Sequence, residues 1–182
     1  MQRANLEIDS KNRTAIAGEL RARLEGEVRF DDGARALYAT DASNYRQVPI
    51  GVVIPKKIDD IIETVSVARA HGAPVLARGG GTSLAGQCCN AAIVMDTSKY
   101  LNQLIEVDPS RRTARVQPGI VLDDLNRQGR TFGLTFAPDP STHNHCTLGG
   151  MLGNNSCGVH SVLAEFYGPA RLAPIRSRSW KS

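Results

Sequence analysis

Apolar and polar positions alternate along this chain in several rhythms, each of which predicts an element. In TAIAGELRARLE, Ile16, Leu20 and Leu24 recur four apart, predicting a helix from Thr14 to about Glu25. Asp31-Asp32-Gly33 predicts a turn, and DASNYRQVP (41–49) a loop. The β-branched run GVVIP (51–55) predicts a buried strand stopped by Pro55. From Ile58 to His71 the spacing becomes helical. Ile58, Ile61, Ile62, Val65 and Ala68 line one apolar face, Asp59 and Asp60 sit in the first turn, and Gly72 stops it. Pro74 to Ala77 predicts a second strand, making this region a βαβ unit with parallel strands and a right-handed crossover.

Another apolar strand, AAIVMD, is predicted at 91–96. LIEVD (104–108) and TARVQ (113–117) flank DPSRR and read as an antiparallel hairpin. Val121 to about Arg130 carries a helical pattern that Gly133 ends. A polar, turn-rich stretch follows, APDPSTHNHC, and then the Gly/Asn segment TLGGMLGNNSCG (147–158). The predicted fold class is α+β (mixed α/β).

Composition narrows the functional classes. A chain of 182 residues suits one domain or two small lobes sharing a core, and can bury roughly 70% of its unfolded surface without disulfide staples. Hydrophobic residues at 41% and charged residues at 22% argue against intrinsic disorder. No window approaches the ~20 apolar residues of a membrane span, and Arg3, Glu7 and Asp9 interrupt any secretory signal. The expectation is a cytoplasmic protein that is not integral to a membrane. The net charge of +4 resides entirely in 166–182, which hold Arg171, Arg176, Arg178 and Lys181 and no acid. That pattern predicts a disordered basic end, with no nucleic-acid partner; a nucleic-acid reader would show a patterned basic face. Cys88, Cys89, Cys146 and Cys157 form no metal-ligand pair of the CxxC type and read as reduced, mostly buried thiols.

The most informative stretch is RGGGTSLAG (78–86). Three glycines directly after a strand allow positive φ and a close backbone approach. Consecutive N–H groups in such a turn converge on an anion, to which Thr82 and Ser83 add hydroxyls, and a pyrophosphate is the natural guest. The spacing matches neither GxxxxGK[ST] nor GxGxxG, which disfavours a P-loop NTPase and a Rossmann dinucleotide site. A plain glycine turn is the alternative. About 65 residues downstream, Gly149, Gly150 and Gly158 permit another close approach, and Asn154 and Asn155 offer amides. Two such segments suit a long ligand with two polar ends; an unliganded loop with a frayed helix start is the alternative. His143, His145, Cys146, Cys157 and His160 match no familiar zinc module, so no metal is expected. Asp139, between two prolines, is a fixed carboxylate that either orients a ligand or caps a turn.

Taken together, PVLARGGGTSLAG (74–86), APDPST (137–142), TLGG (147–150) and NNSCG (154–158) resemble the FAD-binding domain of the FAD-linked oxidases, the PCMH-type or vanillyl-alcohol oxidase group. The order and separations are family-like over about 35–164. YATDASNYRQVP (38–49), GQCCN (86–90) and GGMLGNNSCGVHSV (149–162) are similar to bacterial proteins joining such an oxidase to an iron–sulfur region, which are D-2-hydroxyacid dehydrogenases of the D-lactate or D-2-hydroxyglutarate type. The resemblance implies a PCMH-type fold at 35–164, after an N-terminal helical segment (1–34) and before the tail (165–182). It implies that Arg78, Gly79, Gly80, Gly81, Thr82, Ser83 and Leu84 cradle the FAD pyrophosphate. It further implies that Asp139, Ser141, Thr147, Gly149 and Gly150 line the flavin and ribityl region, and that Asn154, Asn155, Ser156, Cys157 and Gly158 hold the phosphate and ribose side. Some relatives attach flavin through a histidine in the glycine loop. None stands there here, so non-covalent FAD is expected.

After Val162-Leu163-Ala164 the family continues into the rest of the FAD domain and a substrate-binding cap, whereas this sequence gives EFYGPARLAPIRSRSWKS. The resemblance therefore implies a truncated or frameshifted product that lacks the groups acting on the hydroxy acid and the iron–sulfur region, with no catalytic residue to name. UDP-N-acetylmuramate dehydrogenase shares the fold but fits GTSLAG and GGMLGNNSCG less well. The rivals from other classes are a nucleotide- or phosphate-binding module without redox activity and a nucleic-acid binder using the tail.

Overall fold

The computed structural model describes residues 9–158 and a two-residue strand at 173–174. The chain divides into two compact units, Met1–Leu101 and Asn102–Ser182, so the mixed α/β class with two lobes holds.

The first unit is built on a four-stranded sheet. Helix α1 (Ser10–Arg23) begins four residues before the predicted start because Asp9 accepts a hydrogen bond from the Asn12 amide and caps it. Next come β1 (Glu27–Arg29), α2 (Asp32–Leu37), β2 (Gly51–Ile54), α3 (Ile58–Ala70), β3 (Val75–Arg78) and β4 (Ile93–Asp96). The sheet order is β1-β2-β4-β3. β2 and β3 both run parallel to β4, which lies between them, and β1 pairs antiparallel with β2. Strands β2 and β4 are buried along their whole length, so both faces of the sheet are covered. Val53 and Ile93 pack with Ile16, Ala17 and Leu20 of α1 and Val67 and Ala68 of α3. Val52, Ile54 and Val94 pack with Tyr38, Leu76 and Tyr100. Truncating a core residue such as Leu20 to alanine costs about 2–5 kcal/mol.

Three expectations are corrected here. Asp31-Asp32-Gly33 is a helix start, not a free turn: the Asp31 carboxylate accepts the Ala34 amide and caps α2. The expected apolar face of α3 meets the core only in part: Ala68 is buried, but Ile58, Ile62 and Val65 are 66%, 58% and 47% exposed, while Asp60 and Thr64 are buried. The reason is local chemistry. The Asp60 carboxylate gathers the amides of Glu25, Lys56 and Lys57, and the Thr64 hydroxyl donates to the Asp60 carbonyl, so both polar groups are satisfied inside. The thiols are not mostly buried: Cys146 is, Cys88 and Cys89 are half-buried, and Cys157 is exposed, all four being free.

The segment before residue 35 is woven into the first unit through α1 and β1. In the second unit, β5 (Leu104–Asp108) and β6 (Thr113–Val116) form the expected hairpin, with an irregularity between Leu104 and Glu106. Helix α4 (Leu122–Gly129) continues into a 3-10 turn, Arg130–Phe132, ended by Gly133 at φ +69°. Strand β7 (Leu134–Thr135) pairs with β8 (Ala173–Pro174), and α5 (Leu148–Gly153) lies between them in sequence. The core comprises Ile120, Leu122, Leu125, Leu134, Phe136, Cys146, Leu148 and Met151. Apart from β8, the basic end and its predicted disorder lie outside the described residues.

Candidate functional site

Parallel strands β3 and β4 end in register, Arg78 opposite Asp96. The loop 79–90 leaves the carboxyl end of β3, the edge at which open α/β sheets place their ligands. Among the described residues, no backbone N–H from Gly79 to Leu84 donates to a protein acceptor. Gly81 lies at φ +66° within this run, the left-handed geometry that turns successive amides toward one side. Seven of the twelve loop residues are half-buried, and Gly80, Leu84, Ala85, Gln87 and Asn90 are exposed. Amides that are partly screened from water and unpaired favour an incoming acceptor.

What braces the loop is the segment 38–45, which overlaps the loop expected at 41–49. The Ala42 amide donates to the Gly81 carbonyl at 3.0 Å, and the Cys88 amide donates to the Asp41 carboxylate at 3.2 Å. Arg78 Nη1 donates to the carbonyls of Tyr38 and Cys88, and its guanidinium stands 5.1 Å over the Tyr38 ring. Glycine is required at 81 and 86: a Cβ would strike the Arg78 guanidinium at 81 and the Tyr45 ring at 86. Ser83 Oγ lies 3.2 Å from Cys88 Sγ. The Thr82 hydroxyl has no partner among the described residues. Burial pushes the Asp41 pKa upward, but hydrogen bonds from Ser43 and the Cys88 amide outweigh it, leaving the carboxyl below its ordinary value. Burial, followed by the charge of Asp41, raises the Cys89 thiol. Tyr38 and Asp41 stand in a stretch that shares the family resemblance, but their pairing with Asp96 and Cys88 carried no sequence signal, because those partners lie far along the chain.

In the second unit the glycine-rich segment is a capped helix. The Thr147 hydroxyl accepts the Gly150 amide, and the Gly149 amide donates to the Pro118 carbonyl at 2.8 Å. A Cβ at Gly149 would lie 2.8–2.9 Å from Pro118 atoms, and one at Gly158 would lie 2.1 Å from the Asp139 carbonyl. These two glycines serve close packing within the unit. Asn155 at φ +48° ends α5, with its amide on the Leu152 carbonyl and the Ser156 amide on the Met151 carbonyl, a Schellman closure. Asp139 is half-buried; Ser141, Asn154 and Cys157 are exposed. The His143 ring nitrogen Nδ1 meets Asp123 at 2.8 Å, and His145 meets Asn144. Burial raises the Cys146 thiol. The described residues contain no group of three or more potential metal ligands, and His160 lies outside them.

The first unit thus combines a mixed sheet with a glycine loop whose amides are unspent beyond a parallel strand, an arrangement able to accept an anionic group. Residues 49–170 match the family model described as FAD binding domain, and the chain belongs to that family. It is 36% identical over 142 residues to D-2-hydroxyglutarate dehydrogenase of Haemophilus influenzae, covering 76% of this chain and 14% of that protein. It is 34% identical over 144 residues to the glycolate oxidase subunit GlcD of Bacillus subtilis, covering 76% of this chain and 30% of that one. The chain thus spans about a seventh to a third of the curated relatives it matches. Among solved structures, an alkyldihydroxyacetonephosphate synthase aligns with TM-score 0.72 at 23% identity, over 80% of this chain and 30% of that one. A p-cresol methylhydroxylase aligns with TM-score 0.66 at 17% identity, over 82% and 30%. These two show the PCMH-type fold.

The cofactor of the family is FAD, and the residues present fit it: the unpaired amides of 79–84, with Gly81 in the left-handed region, are donors suited to a diphosphate. Among the described residues no helix is long and apolar enough to cross a membrane.

Proposed function

We propose that this chain is the FAD-holding part of an oxidoreductase that converts a D-2-hydroxy acid to a 2-oxo acid. The observation that carries the reading is the run of unclaimed amides at Gly79–Leu84 beyond β3; the kinship to D-2-hydroxyglutarate dehydrogenases and a glycolate oxidase subunit supports the substrate class. Gly79 to Ser83 hold the diphosphate through main-chain N–H groups, and Thr82 adds its hydroxyl. Ser141, Asn154 and Asn155 are the polar groups that the second unit, taken by itself, offers a ligand. Bound FAD supplies the two-electron acceptor that the oxidation requires. No histidine stands in 78–87, so the cofactor is held without a covalent bond. The free thiols suit a reducing compartment, and we place the chain in the cytoplasm without a nucleic-acid partner.

Flavin titration of the purified chain tests this reading. Saturable binding with absorbance near ~450 nm is the expected result; a colourless protein that binds ADP but shows no preference for FAD supports a nucleotide-binding module instead. Turnover of D-lactate or D-2-hydroxyglutarate by this chain alone is expected to be weak or nil, because none of its residues is assigned to the hydroxyl proton.

A further inference from the structure

Arg78 differs from the rest of the loop it begins. Its Nη1 is spent on the Tyr38 and Cys88 carbonyls. Nη2 and Nε have no hydrogen-bond partner among the described residues, and no carboxylate there pairs with the guanidinium. Nη2 lies 2.7 Å from where a Gly81 Cβ would stand, so the cation rests directly against the loop. Asp96 is the obvious counter-ion, being its register partner on β4. That carboxylate is already filled: Oδ2 accepts the Tyr38 hydroxyl at 2.6 Å, and Oδ1 accepts both the Ser98 amide and its hydroxyl. Burial, then the Asp96 hydrogen bond, raises the Tyr38 phenol far above its ordinary value, so it remains a donor at all working pH. The result is a half-buried guanidinium seated on an aromatic face, with no carboxylate in ion-pair contact among the described residues.

We propose that Tyr38, anchored on Asp96, is a positioning residue for diphosphate binding: it seats the Arg78 guanidinium against Gly81, where its spare N–H donors and charge join the free amides of 79–84. The inference rests on reading that loop as the diphosphate site. Tyr38 touches no ligand itself; it acts through Arg78. Asp96 keeps the phenol in place and, being satisfied by Tyr38 and Ser98, leaves the cation available for an anion.

The test is a double-mutant cycle on the full chain, with FAD and ADP titrated calorimetrically and the melting temperature of each variant measured. Tyr38→Leu and Arg78→Gln are each expected to weaken both ligands about tenfold, and the double variant no more than either alone, because the two changes remove one interaction. Tyr38→Phe keeps the ring and is expected to lose about threefold or less. Riboflavin, lacking phosphate, is expected to be insensitive to all of them. Should Tyr38→Leu not fold, Tyr38→Phe and Arg78→Gln provide the cycle. Losses that simply add, or single variants that bind as tightly as the parent, overturn the proposal while leaving the cradle intact. A parent chain that binds neither FAD nor ADP overturns both the cradle and the role of Tyr38.

Discussion

The two glycine-rich segments, 78–86 and 147–158, look alike as strings of letters but differ in how they use their main chain. Beyond β3, the amides of Gly79 to Leu84 have no acceptor among the described residues. In the second unit the amides of Leu148, Gly149, Met151, Asn154, Asn155 and Ser156 all reach backbone carbonyls, and that of Gly150 reaches the Thr147 hydroxyl. Gly149 and Gly158 are small so that protein can touch protein. In the first segment Gly81 and Gly86 likewise make room for Arg78 and Tyr45, so what sets it apart is its unspent amides rather than its small side chains. Glycine content alone thus does not mark a ligand site; the destination of each N–H does.

Substitutions can break this contrast. Gly149→Ala drives a Cβ into Pro118 backbone atoms and is expected to cost about 1–3 kcal/mol of stability in chemical denaturation, outweighing the gain in helix propensity. Gly80→Asp places a negative charge among the free amides of an exposed position. It is expected to weaken FAD at least about tenfold, or ~1.4 kcal/mol, with an unchanged melting temperature. Equal affinity in both proteins would remove the cradle from consideration. Gly81→Ala puts a side chain at φ +66° against Arg78 and is expected to cost about 1–2 kcal/mol and to weaken FAD as well, combining the two kinds of effect.

The smallest expected effect is on pH dependence. The Asp41 pKa is lower in the fold than in the unfolded chain, so its grip on the Cys88 amide is fully present above the ordinary carboxylate value and is lost as pH falls through the folded value. Between neutral pH and pH ~3, the urea midpoint should fall further for the parent than for Asp41→Asn. Parallel declines would show that Asp41 does not stabilise the loop electrostatically.

Strands β2, β3 and β4, the hairpin, α3 and α4 were legible because their apolar rhythm and turn residues agree with the packing that buries them. The facing of α3 was not: Asp60 outweighs three exposed aliphatic side chains because it alone satisfies the amides of Glu25, Lys56 and Lys57. Short β1 and α2 carry too few residues to show a period. The glycine loop was legible as a candidate cradle, but its supports were not. Tyr38 meets Asp96 across 58 positions, and Asp41 meets Cys88 across 47, pairings that exist only once the parallel strands align.

Those supports also set an order of events during synthesis. The contacts that shape the cradle all involve residues 38–98, within a unit that closes at Leu101. A ribosome releasing the chain from its amino end therefore delivers every residue that braces the glycine loop before α4 and α5 have been made.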